Sequence, residues 1–284
     1  MTDLRQTPRY AKYMQSIGWH VEKNAGVYCF SKQIPILGKF IKVQRPKNIT
    51  PSLFRNLEKK KAFKIILEPD LTSAAQTQSN HKLLSSNNFT KSNSPYLPSK
   101  TIHIDLKLTE EALLKQMKAK TRYNIKIAKR NGVIIKKSTD ITAFAIFWSK
   151  NVEGSIFNFW SQKENIVKMY KAFDKKTDLL IAYKNGEMLA GILMPQTQEI
   201  AYYMYAAASK KGKKLHAPTL ITWEAIKLAK KKKLKTFDFE GIYDERFPLK
   251  SWLGFSKFKK TFGGKEIEYP GCFTKTYFRF TIGK

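Results

Sequence analysis

At 284 residues the chain is near the size at which one hydrophobic core stops growing, and about 150 residues per domain makes two units the expectation. Its 53 Lys plus Arg against 22 Asp plus Glu leave a net charge of +31, which selects anionic partners: nucleic acid, an anionic membrane face or a polyphosphate. Aromatics at 13% exclude a disordered basic tail, and two cysteines exclude a disulfide framework. The four histidines, at 20, 81, 103 and 216, show no metal-ligand spacing. With no apolar leader at the start and no run of ~20 apolar residues, a cytoplasmic location is expected.

Thr7–Trp19 reads as a helix opened by Pro8, and Val27–Phe30, Phe40–Val43 and Phe63–Leu67 as β-prone pieces separated by Gly, Pro and charged turns. Residues 79–100, SNHKLLSSNNFTKSNSPYLPSK, are rich in Ser and Asn and predict an exposed connection, with a domain boundary near residue 105. Thr101–Leu106 then alternates as a strand. Thr109 offers an N-cap, with Glu110 and Glu111 in the first turn, to a helix that runs through Leu113–Val133 and stops at Asn131-Gly132. That run carries seven basic side chains and no acid. Written as a helix, it turns Leu114, Met117, Thr121, Ile125 and Ala128 inward and leaves Lys115, Lys118, Arg122, Lys126 and Lys129 as a cationic ridge. Such a ridge repels itself unless a polyanion or phosphorylated substrate neutralises it, a solvated helix face being the competing explanation.

Residues 141–150 and 164–173 predict further helices, and Leu179–Tyr183 and Met188–Met194 a hairpin around Asn185-Gly186. Ile200–Ala206 predicts one strand, so Tyr203 and Tyr205 share a face and both can line a cleft, with core packing as the equal alternative. Pro218 starts a helix whose apolar face holds Leu220, Ile221, Ala225, Leu228 and Ala229. Phe237–Gly241 alternates as a strand with Asp238 and Glu240 on one face, a structural role being favoured over a catalytic one. The resulting strand, loop, helix and strand form the core of acetyltransferase-like folds, and the expected class is α/β with mixed sheets.

TIHIDL at 101–106, KAKTRYNIKIAKRNGV at 118–133, YYMYAAAS at 202–209 followed by HAPTLITWEAI, then FDFEGI and FKKTFGG at 258–264 with EYPG behind it, resemble the FemABX family of peptidoglycan interpeptide-bridge aminoacyltransferases. The pieces occur in the family's order, with a weaker echo in QTPRYAKYMQSIGW at 6–19. The resemblance implies two GNAT-like domains with a cleft between them, 1–105 and 106–265, and a tail, 266–284, that packs back on the first. No heptad-bearing insertion is present, which resembles the compact members without the coiled-coil arm. The implied activity moves an amino acid from aminoacyl-tRNA to the stem-peptide amine of a UDP-linked or lipid-linked precursor, without cofactor or metal. The anionic inner membrane face is a further partner.

By position in the resemblance, Lys12 and Lys259 hold the precursor's diphosphate, Lys259 in the aromatic setting of Phe258 and Phe262. Tyr170 matches a substrate-side tyrosine whose partner arginine is replaced by Ile166, and Tyr203 and Tyr205 line the pocket. Lys115, Lys118, Arg122, Lys126 and Lys129, with the clusters at 210–214 and 230–235, are the candidate tRNA contacts, although a solvated face is favoured for 230–235. No catalytic residue is assigned, because an aminoacyl ester is already activated and orientation with charge stabilisation supplies most of the rate. Two other classes share these features. One is an acyl-CoA N-acyltransferase of GNAT type, whose pyrophosphate loop would fall at KKGKKLHAP; the other is a non-catalytic tRNA or rRNA binder.

Overall fold

The structure, a computed structural model, describes residues 1–70, 81–152 and 159–277. The chain divides into two compact units. An N-terminal unit comprises Thr2–Lys100, Tyr243–Leu249 and the residues from Ile267 on; the second unit holds Thr101–Ile242 and Lys250–Glu266 together with Met1. The division falls at Lys100/Thr101 rather than at 105, so the TIHID strand belongs to the second unit, and a seven-residue loop late in the chain joins the first.

In the N-terminal unit, α1 (Pro8–Ser16) is opened by Thr7, whose hydroxyl accepts from the Tyr10 amide, with Pro8 at the first helical position. Strands β1 (His20–Asn24), β2 (Val27–Ile34) and β3 (Gly38–Gln44) form an antiparallel meander. The chain then crosses through α2 (Pro51–Glu58) to β4 (Lys64–Glu68), which pairs parallel with β3, because a parallel neighbour requires a covered crossover. Leu53, Phe54 and Leu57 of α2 bury against Ile41, Val43, Ile65 and Leu67, the inward residues of those strands. The Ser/Asn-rich segment is more than a connection. It contains a helix over 81–86 (α3) and strand β5 (Thr90–Ser92), and the amides of Tyr96 and Leu97 both donate to the buried carboxylate of Glu68, while 71–80 lie outside the described residues. Strand β14 (Cys272–Thr276) inserts between β4 and β5 and completes the order β1-β2-β3-β4-β14-β5.

The second unit opens with β6 (Lys100–Asp105) and two helices, α4 (Glu110–Gln116) and α5 (Ala119–Arg130). The single helix expected over Leu113–Val133 is therefore broken. Met117 is extended (φ −72°, ψ 149°) and buried, and the Lys118 amide donates to the Thr261 carbonyl at 2.9 Å instead of continuing the helix. The break also changes the inward stripe, so that Leu113 is buried and Leu114 only half-buried, while Met117, Thr121, Ile125 and Ala128 face the core as the spacing predicts. After β7 (Ile134–Ser138) come α6 (Ile141–Asn151) and α7 (Phe159–Phe173), then β8 (Thr177–Lys184), β9 (Glu187–Pro195), β10 (Ile200–Tyr202) and β11 (Tyr205–Ala208). A short α8 (Lys210–Lys214), α9 (Ala217–Lys231), β12 (Thr236–Asp238), α10 (Leu253–Lys260) and β13 (Lys265–Glu268) finish the unit. The strands form two sheets, β10-β12-β6-β13 and β11-β9-β8-β7, with α5 and α9 packed on one continuous core. Among the described residues no helix exceeds 15 residues, too short for a coiled-coil arm, and none is long and apolar enough to cross a membrane.

Candidate functional site

The two sheets of the second unit separate at Tyr203. Strand β10 runs parallel to β12, β11 runs antiparallel to β9, and between them the Tyr203 amide donates to the Asp238 carbonyl at 2.8 Å. The one strand expected over Ile200–Ala206 is thus two, and Tyr203 and Tyr205 do not share a face. Tyr203 is buried, 5.5 Å from the Phe239 ring and 6.2 Å from Phe237, and burial pushes its phenol up to about 12, with a hydrogen bond to Thr222 opposing the rise. It stays protonated at any working pH. Tyr205 stands edge-on to Trp148 at 5.9 Å.

Lys259 lies beneath Tyr203. Helix α10 reads LGFSKFKK, and its i, i+3 spacing turns Ser256 and Lys259 inward while Lys257 and Lys260 stay in solvent. Only 8% of Lys259 is exposed; its Nζ donates to the Gly241 carbonyl at 2.6 Å and sits 4.8 Å from the Phe255 ring and 5.7 Å from that of Tyr203. Burial pulls its ammonium down to about 8, against the raising influence of Glu240 and Asp238. The side chain is enclosed rather than solvated. Phe258, half-buried, stacks edge-on to Phe262 at 5.2 Å and closes the same aromatic wall.

One constellation has no counterpart in the sequence reading. Asp238, buried at the end of β12, accepts from the Thr101 hydroxyl at 2.5 Å and from the Glu240 amide at 2.8 Å, and its other oxygen lies 3.2 Å from His103 Nε2. Burial pushes this carboxyl up, but the His103 hydrogen bond and charge, with Thr101 and the Glu240 amide, hold it below the usual carboxylate range. Glu240, at φ +63°, has left the strand, so the two acids do not form the same-face pair that alternation predicts. His103 borders a cavity of about 510 Å³ with Asp105, Leu108, Gln116, Gly263, Gly264 and Lys265. Gly263 and Gly264 explain the FGG motif: both have positive φ, and a Cβ at 264 would stand 2.6 Å from the His103 carbonyl. The signal for His103 was present in TIHID, whose alternation puts Thr101, His103 and Asp105 on one face of β6, opposite the core residues Ile102 and Ile104.

The remaining candidates are dispersed. Tyr170 borders a different cavity of about 450 Å³ with Lys137, Asp140 and Asp178, and Ile166, in the place of the family arginine, is wholly buried. Asp178 accepts from Lys137 at 2.7 Å and from Lys232 and Gln196, so that cavity's buried acid is already neutralised. Lys12 is exposed on α1 in the N-terminal unit. On the basic helices Lys115, Lys118, Lys126 and Lys129 are exposed, whereas Arg122 folds back and donates to the Leu114 and Met117 carbonyls, closing the end of α4. Arg122 is a capping residue and leaves the ridge. In the 230–235 cluster, Lys230 donates to the Leu106 and Leu108 carbonyls at 3.0 and 2.6 Å, Lys232 to Asp178 and Lys235 to Glu199, so these three lysines have intramolecular partners in place of the purely solvated face expected.

The KKGKKLHAP segment is not a phosphate cradle. Its lysines and Gly212 form α8, and a Cβ on Gly212 would lie 2.1 Å from the Leu189 carbonyl, so the glycine serves packing against β9. Ser209 Oγ already accepts from the Gly212 amide at 3.0 Å.

These features define a mixed α/β fold built on several mixed sheets. The crystal structure of FemX superposes with a TM-score of 0.79 at 16% identity, over 97% of this chain and 92% of that one. A tandem GNAT protein from the clavulanic acid biosynthesis pathway superposes with a TM-score of 0.53 at 8% identity, over 88% and 78% of the two chains. Those likenesses are of fold. In sequence, a model of the FemAB family matches residues 157–280. The Lipid II:glycine glycyltransferase of Staphylococcus haemolyticus (strain JCSC1435) is 29% identical over 109 residues, 37% of this chain. That match spans 26% of the relative, about a quarter of its length. The likeness to the FemAB family covers under half of the chain, and the superpositions show the fold alone.

Proposed function

We propose that the chain transfers an amino acid from aminoacyl-tRNA to the stem-peptide amine of a peptidoglycan precursor, UDP-linked or lipid-linked, and so builds an interpeptide cross-bridge. The amine attacks the ester carbonyl, the new C–N bond replaces the C–O bond to the ribose, and the amine's proton ends on the ribose hydroxyl. The observation that carries this reading is Lys259: one lysine of a strongly basic chain is buried against a carbonyl and two ring faces, inside the segment that the FemAB model matches. Among the described residues no carboxylate pairs directly with it, although Glu240 and Asp238 lie near enough to favour its charge; a buried cation so placed costs stability, and a substrate anion gives it a use.

In this proposal Lys259 holds the precursor's diphosphate, with Phe258 and Tyr203 in the aromatic wall beside it. Exposed Lys115, Lys118, Lys126 and Lys129 meet tRNA phosphates. The packing role of Gly212 disfavours the acyl-CoA alternative, because the glycine of the KKGKKLHAP segment is closed against β9 and not open to a pyrophosphate.

The test incubates the chain with charged tRNA and each precursor form and reads the branched product by mass spectrometry. Product that disappears in Lys259→Met is expected; no product with every aminoacyl-tRNA and both precursors overturns the proposal.

A further inference from the structure

The end of the N-terminal sheet where β2 turns into β3 has an unusual composition. Its loop is Pro35-Ile36-Leu37, closed by the Ile34↔Gly38 pair and a 2.7 Å hydrogen bond from the Leu37 amide to the Pro35 carbonyl. Ile36 is 106% exposed and Leu37 58%, two aliphatic side chains held clear of the protein. Ile36 also sits at φ +67°, a region that a β-branched residue enters only at a cost in strain. Asn or Gly would fold this turn more comfortably, so neither burial nor backbone geometry accounts for the isoleucine.

Cations ring the tip. Lys32 is exposed on β2 and Lys39 half-buried on β3, and the Phe63 amide donates to the Lys39 carbonyl at 2.9 Å, which brings the exposed Lys59 and Lys61 of the preceding turn alongside. Lys64 pairs in register with Phe40. Two amphipathic rings lie at the same end: Trp19, 6.0 Å from Phe40, and Tyr277, whose amide donates to the Phe63 carbonyl at 2.8 Å. Two acids on neighbouring elements are neutralised, Glu22 by Lys60 at 2.5 Å and Glu58 by Lys275 at 2.7 Å.

We propose that this end of the N-terminal unit docks on an anionic lipid bilayer, with Ile36 and Leu37 entering the acyl region and the surrounding lysines among the headgroups. An RNA would satisfy the lysines but gives two aliphatic side chains nothing to bury against, whereas a bilayer supplies both an anionic plane and an apolar interior. Trp and Tyr at the rim suit the headgroup layer. The inference does not rest on the transfer reaction.

Vesicle flotation tests it, comparing phosphatidylcholine vesicles with vesicles of equal phosphatidylcholine and phosphatidylglycerol. The chain is expected to float with the anionic vesicles, less so as salt rises, and Ile36→Asn/Leu37→Ser to weaken binding at least about tenfold. The same variant is expected to melt at an equal or higher temperature, since Asn accepts positive φ, so lost binding cannot be ascribed to unfolding. Absence of flotation with anionic vesicles, equal flotation by the variant, or loss of RNA affinity in place of vesicle affinity overturns the proposal. Transfer to a soluble UDP-linked acceptor should be unchanged in the variant, which separates failure here from failure of the enzymatic reading.

Discussion

Lys259 and the ridge on α5 carry the same charge in opposite surroundings. Lys259 is enclosed by a carbonyl and two aromatic rings, and its ammonium is pulled down to about 8 by burial; Lys126 and Lys129 stand in water on a helix face. In a low dielectric one charge exerts a strong, unscreened field over a few ångströms, whereas an exposed row acts through its sum and is weakened by salt. The first suits one phosphate or one developing charge, and the second suits a polyanion. Arg122 falls between the two, since its guanidinium is committed to the end of α4.

Four measurements break or sharpen that contrast. The largest effect is expected for Asp238→Ala, which removes the carboxylate from Thr101, His103 and the Glu240 amide and should cost about 3–5 kcal/mol in urea denaturation. Because its folded-state carboxyl is held low, the stability from Asp238 is full above the unfolded carboxylate range and is lost as pH falls through the folded value. A wild-type acid limb no steeper than that of the variant would refute this.

Lys259→Met is expected to reduce transfer by at least about 100-fold, roughly 2.7 kcal/mol, while folding stability stays level or rises, since an apolar side chain replaces a buried cation. With the folded value near 8 and the unfolded one near 10.5, the unfolded chain holds the proton across that window while the folded chain has lost it. Wild-type stability therefore rises relative to that of the variant between those values, and any advantage of the variant at neutral pH should shrink at alkaline pH.

Arg122→Ala should lower stability by about 1 kcal/mol through the exposed carbonyls of α4. Lys126→Ala should leave stability within about 0.5 kcal/mol and reduce the salt slope of tRNA affinity by about one unit. An unchanged slope for Lys126→Ala with a reduced one for Arg122→Ala would invert the assignment.

Much of the local structure was legible in the residues. Pro8 opens its helix and Thr109 caps its own as written, and Asn185-Gly186 turns the β8–β9 hairpin with φ of +50° and +77°. Met117 was illegible. Its helical spacing is sound, but the Thr261 carbonyl, more than 140 residues away in sequence, takes the Lys118 amide and ends the helix there. The split between Tyr203 and Tyr205 is of the same kind, because alternation does not reveal that one apolar run serves two sheets.

By itself the sequence determined what depends on neighbours a few residues apart: caps, turns, the apolar stripes, the excess of positive charge, and the ordered motifs that carry the FemABX resemblance. Only the tertiary structure decided which cations are buried, which arginine caps a helix, and that His103 meets Asp238 across 135 positions of chain. Desolvation and hydrogen-bond pairing are set by atoms brought together in folding, and spacing along the chain does not encode them.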